Sequence, residues 1–288
     1  CEVSQAACFA VKSSREKHCK LHGVWKSVHV PSSRKNMLRQ PERPFWTAAE
    51  LSRLAKWDHD NVLLLVPLSS VDLDQFKLAR LMWVYDLKVE KDGSVEAFSA
   101  RIVVDERGAP LDDFTFSSVA RTSSIRLLLD QAARKHQEIF MADIVNAHQT
   151  TIRPLDKPKF AWQLEGYEER GPNGEKLVYK CLNYMNGEAT VARAFSGDLT
   201  RVMAHCGLSQ CVFDTRVYFA KTSDGDEICI ASVVDDLIGR YSSEVIHSQF
   251  LMKLRQFFDI TGGSNSGWVL KIRVDYDLLG GRVTLSCE

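Results

Sequence analysis

Three turn sequences do most to restrict what this chain can fold into. Lys91-Asp92-Gly93-Ser94 separates the alternating runs Leu81–Val89 and Val95–Val104. Asp224-Gly225 separates Val212–Ala220 from Glu227–Val234, and Gly280-Gly281 separates Trp268–Tyr276 from Arg282–Leu285. Asp and Gly tolerate the tight backbone that joins two antiparallel neighbours, so each arrangement predicts a hairpin. A further strand is expected at Asn61–Val66, closed by Pro67. Between these runs the apolar spacing turns helical. Trp46, Ala49, Leu51 and Leu54 mark one face of a helix from Phe45 to Trp57. Ser123-Ser124 leads into Ile125, Leu128, Leu129, Ala132 and Ala133. Thr190–Cys206, stopped by Gly207, carries Val191, Ala194, Phe195, Leu199, Val202 and Met203; Ser242-Ser243 opens a run with Val245, Ile246, Phe250, Leu254 and Phe257 inward. Hairpins mixed with amphipathic helices predict an α+β fold, an antiparallel sheet backed by helices.

The 288 residues give room for one large domain or two modest ones. The longest apolar run, Asn61–Pro67, is strand-sized, far below the ~20 residues of a membrane helix, so no membrane partner is expected. The sequence starts at Cys1 and shows no charged-then-apolar signal segment, which reads as an excerpt of a longer polypeptide. Net charge is zero, but residues 1–43 hold nine Lys/Arg against three acids, leaving +6 there and −6 in the remainder. With Pro31, Pro41 and Pro44 and little periodicity, residues 1–44 read as a flexible basic linker. Such an arm can follow a phosphate backbone or simply stay solvated. The eight Cys form no CxxC pair; Cys181, Cys206 and Cys229 lie in apolar patterns and read as reduced core residues of an intracellular protein.

Two strand-like stretches run out at carboxylates. Ile139-Phe140-Met141-Ala142 precedes Asp143, and Ile228–Val234 precedes Asp235-Asp236. Carboxylates at neighbouring strand ends can converge on divalent metal, and two metals so held activate an attacking oxygen and stabilise a leaving one in phosphoryl transfer. The plainer reading is a turn, which Asp favours. A divalent-metal hydrolase using the three carboxylates is a further reading.

The chain also carries, in order, Met82-Trp83-Val84-Tyr85, Asp92-Gly93-Ser94-Val95, Ala100-Arg101-Ile102-Val103, Thr115-Phe116-Ser117-Ser118-Val119-Ala120-Arg121 and Ser124-Ile125-Arg126-Leu127-Leu128-Leu129. Asp143-Ile144-Val145-Asn146-Ala147, Gly187 six residues before Arg193-Ala194-Phe195, Val233-Val234-Asp235-Asp236-Leu237 and Leu270-Lys271-Ile272 follow. From Trp46 to the end this colinear series resembles the reverse transcriptase of copia-type LTR retrotransposons. The resemblance implies the fingers and palm of an RNA-directed DNA polymerase over 45–288, with thumb and ribonuclease H absent or truncated. It implies two Mg²⁺ (or Mn²⁺) held by Asp143, Asp235 and the backbone carbonyl near Ile144, with Asp236 close by. Arg101 matches a residue that contacts the incoming triphosphate, where a guanidinium fits paired phosphate oxygens. The implied partners are dNTP, a primed RNA or DNA template, and the integrase and ribonuclease H regions of one polyprotein, in a cytoplasmic particle or the nucleus.

The departures from that pattern cluster around the nucleotide. Val233 stands for the Tyr of the Asp-Asp box, and His148 for the aromatic that packs under the incoming sugar. Thr190 stands for a Gln that helps hold the nucleotide, Ser99 for a Lys beside Arg101, and Lys271 for a Gly. Catalysis needs a supporting shell as well as metal ligands. Weak or lost polymerase activity is therefore expected, and the alternative is a catalytically inactive nucleic-acid-binding remnant of the same fold.

Overall fold

The computed structural model describes residues 15–106, 115–264, 267–269 and 272–287. Its first elements are β1 (Glu16–Leu21), β2 (Val24–His29), α1 (Arg34–Met37), α2 (Arg43–His59), β3 (Leu63–Pro67), β4 (Arg80–Val89) and β5 (Val95–Asp105). Next come α3 (Thr122–Lys135), β6 (Glu138–Ile144), α4 (Ala147–Thr150), β7 (Lys159–Ala161), β8 (Leu177–Cys181), α5 (Val191–His205), β9 (Ser209–Gln210) and β10 (Val217–Lys221). The chain closes with β11 (Glu227–Val233), β12 (Asp236–Tyr241), α6 (Glu244–Leu254), β13 (Ile260–Ser264), β14 (Gly267–Val269), β15 (Ile272–Asp277) and β16 (Arg282–Cys287). The fold is mixed, and every named strand pairing is antiparallel. Two compact units share it: residues 1–107 with 153–188, and residues 108–152 with 189–288. No helix among the described residues is long and apolar enough to cross a membrane.

In the first unit β4 and β5 form the hairpin expected from their alternation, and Leu81, Trp83, Tyr85 and Leu87 point into the core. α2 lies on β5 and buries Trp46 and Trp57. Its inward residue at the next helical turn is Glu50 rather than Leu51, which is 54% exposed. A fully buried carboxylate is tolerated there because Tyr85 and Tyr167 donate their hydroxyls to it and the Arg34 guanidinium lies 3.3 Å away. Residues 1–44, read as a linker, carry secondary structure from Glu16 onward: β1 pairs with β2, and Cys19, Val28, Val30 and Met37 are buried in this unit's core. Few inward residues among so many charged ones leave no visible period in the sequence. Its first fourteen residues lie outside the described ones.

In the second unit six strands form one sheet in the order β13-β6-β12-β11-β10-β9. β6 is sandwiched. Phe140, Ala142 and Ile144 pack with α5 and α6 residues such as Phe195, Leu199 and Phe250; Ile139 and Met141 pack with Ile125, Leu128 and Leu129 of α3. Burial on both faces explains why β6 reads as a continuous apolar run rather than an alternating one. The start of α3 is capped from afar: the Asp214 carboxylate accepts from the Arg121 backbone N–H at 2.9 Å and the Ser124 hydroxyl at 2.6 Å. The serine pair therefore sits in the first turn, not before it. Val212 and Phe213 are not strand residues; they stand 85% and 84% exposed in the loop before β10. In α6, His247 takes the inward position beside Ile246 while Val245 faces out.

Candidate functional site

β6 and β12 are neighbours, and their register places Asp143 directly opposite Asp236. Residues opposite one another across an antiparallel pair project to the same face, ~4.5–5.5 Å apart at Cβ. That face is the one α3 covers, since Ile238 and Met141, next along the two strands, pack there. The third acid comes from the link between β11 and β12. Val233 pairs with Asp236, so only Val234 and Asp235 make the turn. The turn is tied down by the Ile144 backbone N–H, which donates to the Asp235 carbonyl at 3.0 Å. Asp143, Asp235 and Asp236 are all half-buried, and the Ile144 side chain is fully buried below them.

Val234 has φ +58°. A β-branched residue in the left-handed region is strained, and two-residue hairpin turns usually place Gly or Asn there. Strain of this kind costs roughly 1–3 kcal/mol and persists only where the surroundings impose it. The clue was visible, because a tight Val-Asp turn lacking Gly is unusual, yet the sequence could not say which residues made the turn.

Electrostatics agree with the geometry. Burial, then Asp235, then Asp143 push the Asp236 carboxyl up to about 6. Carboxylate oxygens crowded in a half-dry corner are hard donors of the kind Mg²⁺ prefers, and a cation would relieve their repulsion. The donor chemistry therefore fits a divalent ion. Among the described residues, however, no three His, Cys, Asp or Glu side chains stand in a finished metal-ligand arrangement.

The remaining sequence candidates come from other elements. Thr190 caps α5 without a side-chain hydrogen bond, its carbonyl accepting from the Ala194 N–H at 3.0 Å. His148 falls in the single turn of α4. Arg101 belongs to the other unit, exposed on β5 opposite Val84. Burial, then the charge of Arg101, lowers the Arg53 pKa, so two guanidiniums share that surface. Gly187 is held by geometry: at φ +92° a Cβ there would collide with the Val104 carbonyl.

The chain is 23% identical over 262 residues to the retrovirus-related Pol polyprotein from transposon TNT 1-94 of Nicotiana tabacum, covering 90% of this chain and 19% of that protein. It is similar to part of a retroelement polyprotein. It spans about a fifth of that relative's length. No protein-family model matches it. Among solved structures, an apo telomerase from Candida tropicalis, truncated from its C-terminal domain, aligns at TM-score 0.41 and 10% identity over 83% of this chain and 60% of that one.

Proposed function

We propose that the chain is the fingers-and-palm part of a retroelement RNA-directed DNA polymerase, transferring nucleotides from dNTP to a primer 3′-end. One observation carries this reading: the Asp143–Asp236 cross-strand pair with Asp235 in the adjoining strained turn. Similarity to the tobacco transposon polyprotein over most of the chain supports it. Asp143, Asp235, Asp236 and the Ile144 carbonyl supply the oxygens for Mg²⁺ or Mn²⁺. When bound, the ions lower the pKa of the primer hydroxyl and neutralise triphosphate charge. The protein's own part is to bring these acids together at one end of the β6–β12 strand pair and its adjoining turn. Arg101 stands at the position that contacts the triphosphate in the resembling polymerases, where a guanidinium fits paired phosphate oxygens, and His148 and Thr190 at positions near sugar and base.

A second reading is nucleic-acid binding without catalysis. The replaced pocket residues Val233, His148 and Thr190 point that way. Primer extension on a primed RNA template with Mg²⁺ decides between them. Incorporation that disappears in Asp235→Asn supports the polymerase. Template binding with no incorporation, indifferent to that substitution, supports the remnant.

A further inference from the structure

β6 has a strand on each side, β12 and β13, so Asp143 faces two neighbours at once. β12 sets Asp236 opposite it, and β13 sets Thr261 opposite it. Opposite residues of an antiparallel pair project to one face, so Asp236, Asp143 and Thr261 form a row across three strands. A backbone bond fixes the row on either side. The Ile144 N–H donates to the Asp235 carbonyl at 3.0 Å, and the Val145 N–H donates to the Asp259 carbonyl at 2.9 Å. β13 keeps this register only briefly. It pairs regularly through Ile260, Thr261 and Gly262 and shifts before Ser264. Gly262 and Gly263 have φ +88° and +117°, and a Cβ on Gly262 would stand 2.8 Å from the Met141 carbonyl oxygen. Two glycines therefore let this edge strand lie tight against β6 and then leave it in a bulge, a device that ends pairing and aims a side chain. The residue set just ahead of the bulge is Thr261, which is exposed.

We propose that Thr261 is a positioning residue for the acidic site, its hydroxyl donating to the Asp143 carboxylate and holding that side chain for a divalent cation. The inference rests on the reading of Asp143 as a cation ligand. Cβ atoms of opposite residues lie ~4.5–5.5 Å apart, a gap that a threonine hydroxyl and an aspartate carboxylate span with one hydrogen bond. Asp143 has two carboxylate oxygens. A hydroxyl that takes one fixes the side-chain torsions and leaves the other for the cation, the part that hydrogen-bonding partners of ligating carboxylates play. Without it, repulsion from Asp235 and Asp236 turns Asp143 away from them, and the cation has to order the side chain as it binds. The hydroxyl is the part of Thr261 that matters here. Its β-branched frame suits a strand with or without oxygen, so Val separates the two roles.

The test is a titration of the full chain with Mn²⁺, the free ion being read by electron paramagnetic resonance. Thr261→Val is expected to weaken Mn²⁺ binding roughly tenfold while leaving the urea midpoint unchanged, and Thr261→Ser to restore most of the affinity. Should Thr261→Val fail to fold, as read by circular dichroism, Thr261→Ala set against Thr261→Ser carries the same comparison. Mn²⁺ affinity as in wild type for Thr261→Val overturns the proposal, as does a Thr261→Ser chain as weak as Thr261→Val. The polymerase reading fails separately. Binding that is lost in Asp143→Asn but untouched in Thr261→Val keeps the acids as a cation site and removes only Thr261. Binding that follows the hydroxyl in a chain that incorporates no nucleotide supports Thr261 and removes the polymerase. A wild-type chain that binds no Mn²⁺ overturns the cation site and this inference with it.

Discussion

At one end of the β11–β12 hairpin Glu227 is ringed by donors; at the other, Asp236 faces Asp143 across the strand pair and Asp235 sits in the adjoining turn. Lys135 and Arg240 pair with Glu227, and the Gln137 amide donates to it at 2.7 Å. Burial pushes the Glu227 carboxyl up, but these hydrogen bonds outweigh it and hold it at about 2. Asp236, a strand's length away, is pushed up to about 6 by burial and by the two other acids. A fold that neutralises one acid so fully and leaves three together at the opposite end spends stability at the second place. The two ends therefore respond in opposite ways to pH and substitution.

The neutralised end should show the larger loss. Arg240 is 6% exposed and also engages Gln137 and Gln131, so Arg240→Met strands Glu227 and both amides. Urea denaturation should show a loss of roughly 3 kcal/mol. A wild-type-like midpoint would mean that Lys135 alone suffices. The acid limb belongs to the same end. Glu227 is depressed in the fold, so its contribution is complete above the unfolded carboxyl value of about 4.3 and fades as pH falls through about 2. Glu227→Gln should flatten stability against pH in that window. The open end runs the other way. Asp236 is raised in the fold, so ionising it destabilises, and stability falls as pH rises from about 4 through about 6. Asp236→Asn should therefore stabilise the chain at pH 7 by about 1–2 kcal/mol and leave it unchanged below pH ~4, while abolishing any incorporation. A destabilised Asp236→Asn at pH 7 would contradict the crowding. Mg²⁺ at ten times its dissociation constant should add about 1.4 kcal/mol to wild type and nothing to Asp143→Asn, read by thermal melting.

The two ends were not equally legible. The hairpins around Gly93 and Gly225 follow from turn chemistry, and the α5 face follows from its spacing, because each is decided by neighbours in sequence. Asp143, Asp235 and Asp236 could be singled out because each follows an apolar strand. Their cross-strand register depends on long-range pairing and became visible only in the fold. The Glu227 cluster was missed, since its partners lie thirteen to ninety-two residues away and nothing local distinguishes it. The same holds for Glu50, where a buried acid replaces Leu51 because two tyrosines and an arginine from distant segments meet it. Cys19 and Val28 were hidden by the charged residues around them, and the β1–β2 hairpin with them.

The smallest expected effect is the most discriminating. Val234 holds φ +58° in the turn that carries Asp235. Gly adopts that conformation without a Cβ clash, so Val234→Gly removes roughly 1–3 kcal/mol of strain. The gain is offset by about 0.5–1 kcal/mol for the extra freedom of Gly in the unfolded chain. The net should be a stabilisation of about 1 kcal/mol in urea denaturation. If the strained turn serves only to end a strand, nothing else should change. If it holds Asp235 over Asp143, a relaxed turn should lower incorporation, or the Mg²⁺-induced gain in melting temperature, even as the chain becomes more stable. Opposite signs for stability and metal response would tie the strain to the acidic end. Equal signs would make the Val234 turn a structural detail, and the asymmetry between the two ends of the hairpin would then rest on the carboxylates alone.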